Sequence, residues 1–325
     1  MTYQKVMRAE AVSIMYDAQS LRDAQTDFVR QLDLRIDHHL SHLSPAPFRL
    51  VEAARDAMAT GKRLRAYLLH LVAGDQAAPD AVLDMAVALE MVHTASLVID
   101  DLPSMDNASL RRGRPTTHTV FGEATAILSA IGLLNHAVSI TNSLPGIDAE
   151  RRCALVAILS GVMGWQGLVA GQELDLNGFS AGDDGADGPL GRVTRINALK
   201  TGALLCAAVE AGSVLGCRAD GQRGLLHRFG EHLGQAFQIA DDLIDMLSDT
   251  ATTGKDSHQD AGKETYLAVF GAEEALGRCQ SLLASADAAL VDAGLDPDPF
   301  RDMIGAIFDP MLAPVRQGAD AQGAV

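Results

Sequence analysis

The chain has 325 residues, of which 48% are hydrophobic and only 4% are aromatic, and its formal net charge at pH 7 is −16. So negative a chain lacks the basic surface that nucleic-acid binding requires, although bound cations can still bring in an anionic substrate. Alanine and leucine dominate the apolar residues, which favours helices over sheets. The composition therefore predicts one all-α domain over residues 1–325, with a frayed tail from about residue 317.

The N-terminal region and the cysteines indicate the cellular compartment. Charged residues are interspersed through the first 20 positions, so we find no apolar signal region there. The four cysteines lie far apart in apolar segments and form no CxxC pair, a pattern typical of reduced thiols. We therefore expect a cytoplasmic protein.

Turn-forming residues divide the first third of the chain into helices. Two prolines lie within residues 44–47, Gly61 precedes three cations in four residues, and Gly74 and Pro103 end apolar runs. Between these breaks the apolar spacing predicts helices over about 23–40, 51–59, 67–74 and 81–101.

The remaining two thirds are predicted to be helical as well. Residues 116–144 form one long helix or two, and Asp148 is placed to cap the next helix, which runs to about residue 176. Loops are predicted at 178–191, which contains five glycines, and at the polar segment 248–263. Further helices are expected over about 192–215, 230–247 and 265–294.

Two apolar stretches are long enough to cross a membrane. Residues 124–144 and 153–172 each run about 20 residues without a formal charge. Both contain polar side chains, and neither has a basic flank on one side only. Helices that are hydrophobic all round also occur at the centre of large all-α proteins. We therefore expect buried core helices and no membrane span.

A cluster of carboxylates follows the apolar helix predicted over 81–101. Three lie within seven residues: Asp100, Asp101 and Asp106. Carboxylates at the end of a buried helix repel one another and lose hydration, and a divalent cation would remove that cost. Three guanidinium groups, which suit phosphate, come next: Arg111, Arg112 and Arg114. Cation ligands beside phosphate ligands predict a metal-diphosphate site.

A second acidic cluster lies 141 residues further along the chain. On a helix its polar members, spaced i, i+3, i+4 and i+7, share one face: Gln238, Asp241, Asp242 and Asp245. The two clusters can face each other across a bundle and hold hard cations between them. Oxygen-only ligands favour Mg²⁺, which binds through a few carboxylates plus substrate phosphates.

Several of the 26 lysines and arginines lie beside a glycine or at a helix boundary, where the backbone can approach a phosphate. Besides the three arginines above, they are Lys62, Arg63, Arg65, Lys200, Lys255 and Lys263. This placement predicts several diphosphate contacts around the acidic clusters.

Together these motifs resemble those of the trans-prenyltransferases. Residues 100–118 are similar to the first aspartate-rich motif of that family, 237–245 to the second, and 61–65 to the isopentenyl-diphosphate loop. Further similar segments follow the family's order, at Gly171-Gln172 with Asp175, at 200–202 and at 254–266, so that the resemblance spans roughly residues 50–270. The form of 254–263 is most like that of geranylgeranyl diphosphate synthases of bacterial carotenoid pathways. Common family residues are replaced at Thr60, Ala66, Ile99 and 196–197, all peripheral to metal binding.

The resemblance implies an isoprenoid-synthase helical bundle with a central cavity, three Mg²⁺ per active site and a homodimer. It implies metal ligands at Asp100, Asp101, Asp106, Asp241, Asp242 and Asp245. It implies isopentenyl-diphosphate binding by Lys62, Arg65, His93 and Arg112, and allylic-diphosphate binding by Arg111, Lys200 and Lys255. The implied catalytic residues are Lys200, Thr201 and Gln238, the last two beside a developing carbocation, with the departing diphosphate as proton acceptor.

The helix before Asp100 is expected to form one wall of the product pocket. Ser96 lies four residues before Asp100 on the same face, and Ala95 is beside it. Farnesyl synthases of the family have aromatic residues here as a floor, whereas both residues here are small. A growing chain should then reach Met91 and Val92. This favours geranylgeranyl diphosphate, with 20 carbons, made from farnesyl diphosphate or shorter primers.

Other functions fit part of the pattern. A farnesyl diphosphate synthase and a non-catalytic partner subunit share the family motifs, although a partner subunit predicts eroded aspartates. A terpene cyclase would lack the 61–65 loop and the second acidic cluster. Glu90 and His93 form an E-x-x-H pair, as in di-iron bundles, but no convincing second pair is found. His93 is then either substrate-binding or a satisfied core histidine.

Overall fold

A computed structural model describes residues 24–43, 46–179, 188–247 and 266–322, and it is helical almost throughout these ranges. The first helices are α1 over residues 24–41, α2 (Phe48–Met58), α3 (Leu64–Ala73) and α4 (Pro79–Asp100). A short hairpin of β1 (Leu110–Arg111) and β2 (Arg114–Pro115) precedes α5 (Thr117–Phe121), α6 (Glu123–Asn142), α7 (Ala149–Met163) and α8 (Leu168–Asn177). The rest comprises α9 (Gly188–Asn197), a π-helical turn (Ala198–Gly202), α10 (Ala203–Leu215), α11 (Asp220–Leu247), α12 (Tyr266–Phe270), α13 (Ala272–Asp292) and α14 (Asp298–Gln322).

The all-α prediction is confirmed, and local signals explain several helix ends. Pro79 occupies the first turn of α4, where its missing N–H is no loss. Asp148 caps α7 as predicted, because its Oδ1 accepts a hydrogen bond from the backbone N–H of Arg151 at 2.9 Å. Gly122, with φ of 84°, divides the predicted helix 116–144 into α5 and α6. The last helix continues to Gln322, past residue 317 where the tail was predicted to begin.

Two interruptions were not predicted. The helix expected from Asp148 to residue 176 is broken at residues 164–167, between α7 and α8. The segment 192–215 is interrupted by the π-turn Ala198–Gly202. A π-turn inserts one residue into a helix and is frequent at functional sites. It carries Lys200 and Thr201, two of the predicted catalytic residues.

The core is built around α4, in which 14 of 22 residues are buried. Helices α3, α6 and α10 pack around it, and α11 packs against α10, α13 and α14. The carboxyl end of α4 is thereby held beside the β-hairpin, whose strands pair Leu110 with Pro115 and Arg111 with Arg114. Arg112 and Gly113 both have positive φ, 53° and 72°, as a two-residue type I′ turn requires.

Four helical stretches of the described residues are long and apolar enough to span a membrane by length and composition. In the most apolar 18-residue windows of Pro79–Asp100 and Gly188–Leu215, 72% and 61% of residues are buried. The corresponding figures are only 39% for Glu123–Asn142 and 22% for Ala149–Asn177. The expectation of two buried core helices over 124–144 and 153–172 is therefore wrong for most of their residues, because much of their apolar surface faces outward.

Candidate active site

The first acidic cluster lies where α4 ends. Asp100 is the last residue of the helix, and its backbone C=O accepts a hydrogen bond from the N–H of Asp106 at 2.9 Å, which folds the loop back. Burial raises the pKa of Asp100 to about 6, and the neighbouring Asp106 acts in the same direction. The positive charges of Lys200 and Arg111 oppose this rise. The ionised Asp100 carboxylate is thus costly where it lies.

The carboxylate of Asp101 is paired with an arginine of the hairpin. It is only 3% exposed, and Arg111 Nε donates to both of its carboxylate oxygens, at 2.7 and 2.9 Å. Arg111 Nη2 lies 2.7 Å from Asp101 Oδ1 as well. The type I′ turn at Arg112-Gly113 brings this guanidinium over the end of α4. Sequence reasoning assigned Asp101 to metal and Arg111 to the allylic diphosphate, and it missed that the two residues bind each other.

The second acidic cluster lies on α11. Asp241 is half-buried, and the backbone of Asp245 lies on the same helix. The Asp245 side chain and the whole of Lys255 lie outside what the structure describes, so their predicted roles stay predictions. Asp242 is only 8% exposed.

Asp242 makes hydrogen bonds within the protein through both carboxylate oxygens. Its Oδ1 accepts from Gln238 Nε2 at 2.9 Å, and its Oδ2 accepts from the backbone N–H of Tyr266 at 3.1 Å. Gln238 Oε1 in turn accepts from Thr201 Oγ1 at 2.7 Å. In this structure the Asp242 oxygens hold α11 to the start of α12 and fix Gln238, and the predicted role of Asp242 as a metal ligand stays a prediction.

The π-turn packs against both α8 and α11 and carries Lys200 and Thr201. Lys200 Nζ donates to Asp175 Oδ2 at 2.6 Å. Asp175, on α8, was not among the predicted site residues, although it belongs to a segment that resembles the family. Two glycines allow the close packing around this turn. A Cβ on Gly171 would lie 2.7 Å from the Lys200 backbone nitrogen, and one on Gly234 would lie 2.8 Å from Gly202 Cα.

A group of cationic side chains lies between α3, α4 and the hairpin. Arg65 Nη1 is 3.4 Å from His93 Nε2, and Arg112 Nη1 donates to the backbone C=O of Thr60 at 2.6 Å. Burial lowers the pKa of Arg65 to about 10, with Arg112 acting in the same direction. Burial and then the neighbouring Arg65 and Arg112 lower the pKa of His93 well below 6.5. Arg65 Nε is buried without a hydrogen-bond partner among the described residues, as expected of a site built for an anion.

Arg63 and Lys62 differ from this group. Arg63 is buried, and its guanidinium bonds Glu90 Oε2 at 3.2 Å, Asp33 Oδ1 at 2.9–3.0 Å and the backbone C=O of Met58 at 2.6 Å. Its partners are all internal, so it holds the 61–65 loop to α1 and α4. Lys62 is exposed. Of the predicted isopentenyl-diphosphate residues, the structure thus gathers Arg65, His93 and Arg112.

An apolar cavity of about 100 Å³ begins at Asp100 and Lys200. Its lining is otherwise almost entirely apolar: Val92, Ser96, Ile99, Leu134, Met163, Leu168, Val169 and Gln172. Val92 and Ser96 were predicted there. Ala95 and Met91 are fully buried and do not line it. Residues 92, 96, 99 and 100 share one face of α4, and Ala95 and Met91 lie beyond the edge of that face. Their predicted effect on chain length stays a prediction.

Gln172 is a polar residue of this cavity that sequence reasoning left without a role. Both polar atoms of its side chain are buried and lack a hydrogen-bond partner among the described residues. An atom of a bound molecule would satisfy them. The Gly171-Gln172 pair in the sequence was the available signal.

The carboxylates of the site are suitable for Mg²⁺ only when a phosphate ligand completes the set of oxygens. No three His, Cys, Asp or Glu side chains of the described residues are grouped so as to hold a metal ion by themselves. Mg²⁺, however, typically binds through one or two carboxylates, water and substrate phosphates. Asp100 and Asp106 at the end of α4 and Asp241 on α11 supply suitable oxygens, and the raised pKa of Asp100 marks a carboxylate that a cation would relieve. These residues fit Mg²⁺ that is shared with a phosphate ligand.

The fold and the site together define a class. An all-α bundle with an apolar cavity that opens between carboxylates and cations suits a ligand with an anionic head and an extended apolar body. The family comparison gives the same answer: the polyprenyl synthetase family model matches residues 48–288. The chain belongs to the polyprenyl synthetase family.

Proteins similar to this chain include synthases that are named for different products. The geranylgeranyl diphosphate synthase of Pantoea ananas is 40% identical over 301 residues, 89% of this chain and 95% of that protein. The farnesyl diphosphate synthase of Escherichia coli is 38% identical over 279 residues, 81% of this chain and 91% of that protein.

Solved structures agree on the fold. An FPP/GFPP synthase from Zymomonas mobilis superposes with a TM-score of 0.76 at 34% identity, covering 90% of this chain and 99% of that one. A geranyltransferase from Helicobacter pylori, solved with magnesium and isoprenyl diphosphate, gives a TM-score of 0.71 at 26% identity, covering 93% and 97%.

Proposed function

We propose that the protein condenses isopentenyl diphosphate with an allylic diphosphate and that its product is geranylgeranyl diphosphate. The observation that carries this proposal is that two faces of α4 contribute to two different sites. One face presents Val92, Ser96 and Asp100 to the apolar cavity, and another presents His93 to the cationic group around Arg65. Two diphosphates, one of them with a long apolar tail, are the ligands that such an arrangement suits.

In the proposed reaction the side chains bind and orient two substrates. Lys200 and Arg111 hold the allylic diphosphate, while Arg65, His93 and Arg112 hold isopentenyl diphosphate. Asp100, Asp106 and Asp241, together with the substrate, would hold three Mg²⁺, which would supply charge neutralisation for the leaving diphosphate. Thr201 and Gln238 direct oxygen atoms toward positive charge that develops on the allylic carbon.

The cavity also limits where the proton can go. Asp100 and Lys200, at its mouth, are its only ionisable lining residues within the described parts of the chain. The apolar lining beyond them excludes water from the cation. The departing diphosphate is therefore the proton acceptor in this proposal.

Product length is assigned from the cavity rather than from similarity, since relatives that make geranylgeranyl and farnesyl diphosphate are about equally identical to this chain. Ser96 and Val92 are the side chains of α4 that the growing chain passes. Neither is aromatic, so the pocket stays open below Asp100. A farnesyl diphosphate synthase is the alternative, and it requires a blocking contact from another helix.

A cytoplasmic homodimer is the proposed form. Large apolar side chains are exposed on α5 and α6, at Val120, Ile127, Leu128 and Ile131, and further along the chain at Trp165 and Val169. Trp165 is 88% exposed. Extensive exposed apolar surface marks an interface, and a second copy would bury it. Light scattering should report twice the 34.3 kDa chain mass, and Leu128→Glu with Ile131→Glu should yield monomers.

One experiment separates the proposed function from its rivals. The purified protein is incubated with Mg²⁺, isopentenyl diphosphate and each of dimethylallyl, geranyl and farnesyl diphosphate, and product length and diphosphate release are measured. We expect a 20-carbon product whose formation ends when a chelator removes Mg²⁺. A 15-carbon end product supports a farnesyl synthase, diphosphate release without isopentenyl diphosphate supports a cyclase, and no turnover supports a partner subunit.

A further inference from the structure

A continuous chain of hydrogen bonds links Asp242 to Thr201. The carboxylate accepts from the Gln238 side-chain amide at 2.9 Å, and the Gln238 carbonyl accepts from the Thr201 hydroxyl at 2.7 Å. The other end is anchored, because the backbone N–H of Tyr266 donates to Asp242 Oδ2 at 3.1 Å. Asp242 is buried, and both of its oxygens are used in this way.

The chemistry of these groups sets the direction of every bond in the chain. A carboxylate can only accept hydrogen bonds, so the NH₂ end of Gln238 must face Asp242. The carbonyl end must then face Thr201, whose hydroxyl donates its single proton to it. Toward any third group, Thr201 Oγ1 can act only as an acceptor, so its lone pairs are what it offers to a ligand.

We infer that Asp242 is a positioning residue, which orients Gln238 and, through it, the hydroxyl of Thr201, and that it is not a metal ligand. The inference rests on the proposed function, in which an allylic cation forms next to Thr201. Aligned dipoles in a hydrogen-bond chain strengthen one another. The negative charge of Asp242 therefore makes Thr201 Oγ1 a better partner for a cation, although the carboxylate itself does not touch the substrate.

Asp241 provides the natural comparison. It is the next residue on α11, about 100° around the helix, and it is half-buried. It remains the proposed metal ligand of this pair. The two neighbouring aspartates thus have separable roles, one toward Mg²⁺ and one toward Gln238.

Asp242→Asn should reverse the chain of hydrogen bonds. An asparagine side chain has one acceptor oxygen, and the N–H of Tyr266 needs it. The NH₂ group of the new amide then faces Gln238, whose own amide must flip to accept from it. The flipped Gln238 offers its NH₂ to Thr201, so the Thr201 hydroxyl becomes an acceptor and points its proton elsewhere. Adding Gln238→Glu restores the original direction, because a carboxylate at position 238 accepts both from the new amide and from Thr201.

The test compares the unaltered protein with Asp242→Asn, Asp241→Asn and the Asp242→Asn/Gln238→Glu double variant. We measure kcat, the Mg²⁺ concentration for half-maximal rate, and, by calorimetry with inorganic pyrophosphate, the affinity for Mg²⁺. For Asp242→Asn we expect kcat to fall about 100-fold. Both Mg²⁺ parameters should stay within about twofold of the unaltered protein, which is the variation expected between sites that act independently. The double variant should recover part of kcat, and Asp241→Asn should weaken Mg²⁺ in both measurements.

Two results would overturn the inference. One is a loss of Mg²⁺ affinity in Asp242→Asn similar to that in Asp241→Asn, which would make Asp242 a ligand. The other is a double variant with no more activity than Asp242→Asn, which would show that the direction of the bonds does not matter. The calorimetric arm needs no turnover, so it decides the metal question even if the unaltered protein makes no prenyl diphosphate, the result that would refute the proposed function itself.

Discussion

The backbone of Gly171 on α8 lies directly against the backbone of Lys200 in the π-turn. A Cβ at residue 171 would approach the Lys200 nitrogen to 2.7 Å and the Leu199 carbonyl carbon to 2.9 Å. Real side chains do not approach backbone atoms so closely, and backbone cannot swing aside as a flexible side chain can. The position of Lys200 therefore depends on the absence of a side chain on a different helix.

Gly171→Ala should displace the π-turn and reduce catalysis. We expect overpacking to lower the free energy of unfolding by about 1–3 kcal/mol and kcat to fall about 100-fold, because Lys200 and Thr201 move with the turn. Steady-state kinetics and denaturant unfolding measure both effects. Gly277→Ala on α13 is the matched control, since a Cβ there meets nothing within 4 Å; equal effects of the two substitutions would contradict the prediction.

Ser96→Phe should shorten the product. Ser96 lines the cavity, and a phenyl ring there would obstruct the path toward Val92. We expect the main product to change from 20 to 15 carbons, as seen by chromatography of the dephosphorylated products. Ala95→Phe should instead destabilise the fold by about 1–3 kcal/mol, because Ala95 is fully buried outside the cavity. Unchanged product from Ser96→Phe would show that the chain takes another route.

Arg63 and Arg65 should respond oppositely to replacement by methionine. Arg63→Met leaves the buried Glu90 without its guanidinium partner and should cost about 3–5 kcal/mol of unfolding free energy. Arg65→Met removes a buried guanidinium whose Nε has no partner among the described residues, so stability should stay constant or rise by about 1 kcal/mol. The same Arg65→Met should raise the KM for isopentenyl diphosphate. Denaturant unfolding without substrates makes the comparison, and a larger loss in Arg65→Met would refute it.

His93 should make stability depend on pH. Burial and the neighbouring arginines lower its pKa in the folded protein well below 6.5, whereas the unfolded chain titrates near 6.5. The unfolded state therefore binds the proton more readily. The contribution of neutral His93 to the free energy of unfolding is complete above pH 6.5, and it is lost as the pH falls toward the pKa of His93 in the folded protein. The loss is about 1.4 kcal/mol per pH unit. His93→Asn should lose less stability than the unaltered protein between pH 6.5 and 5.5, and parallel losses would contradict the assignment.

Helices and motifs were predictable from the sequence because they depend on local spacing. The break at 164–167 was missed although Gly164 and Gly167 were a local signal for it. The π-turn could not be predicted, because the chain stays helical on both sides of it and no proline marks it. The Asp101–Arg111 pair was also out of reach, because Arg111 is presented by a hairpin whose turn, at Arg112 and Gly113, has positive φ at both residues. Arginine is not a residue that signals such a turn.

The cavity-lining residues of α4 could have been separated from Ala95 and Met91 by helix geometry. Counting back from Asp100 by four and by eight residues gives Ser96 and Val92, the two that line the cavity. Ala95, five residues back, is rotated by about 140° on a regular helix. The two acidic clusters, in contrast, were recognised from the sequence as a pair, but which carboxylates point inward depends on tertiary partners such as Arg111 and the Tyr266 N–H.

The π-turn at Ala198–Gly202 makes the site sensitive to the deletion of a single residue, a change that no substitution reproduces. Since a π-turn holds one residue more than a regular turn, deletion of a single codon within it would restore an unbroken helix from Gly188 to Leu215. Such a chain could still fold with α9 and α10 in place, yet the residues left in the turn would be redistributed around a regular turn, in which successive residues are about 100° apart. Lys200 and Thr201 could then no longer face Asp175 and Gln238 together. Loss of function in this lineage can therefore arise through an in-frame deletion that leaves the helix more regular than before.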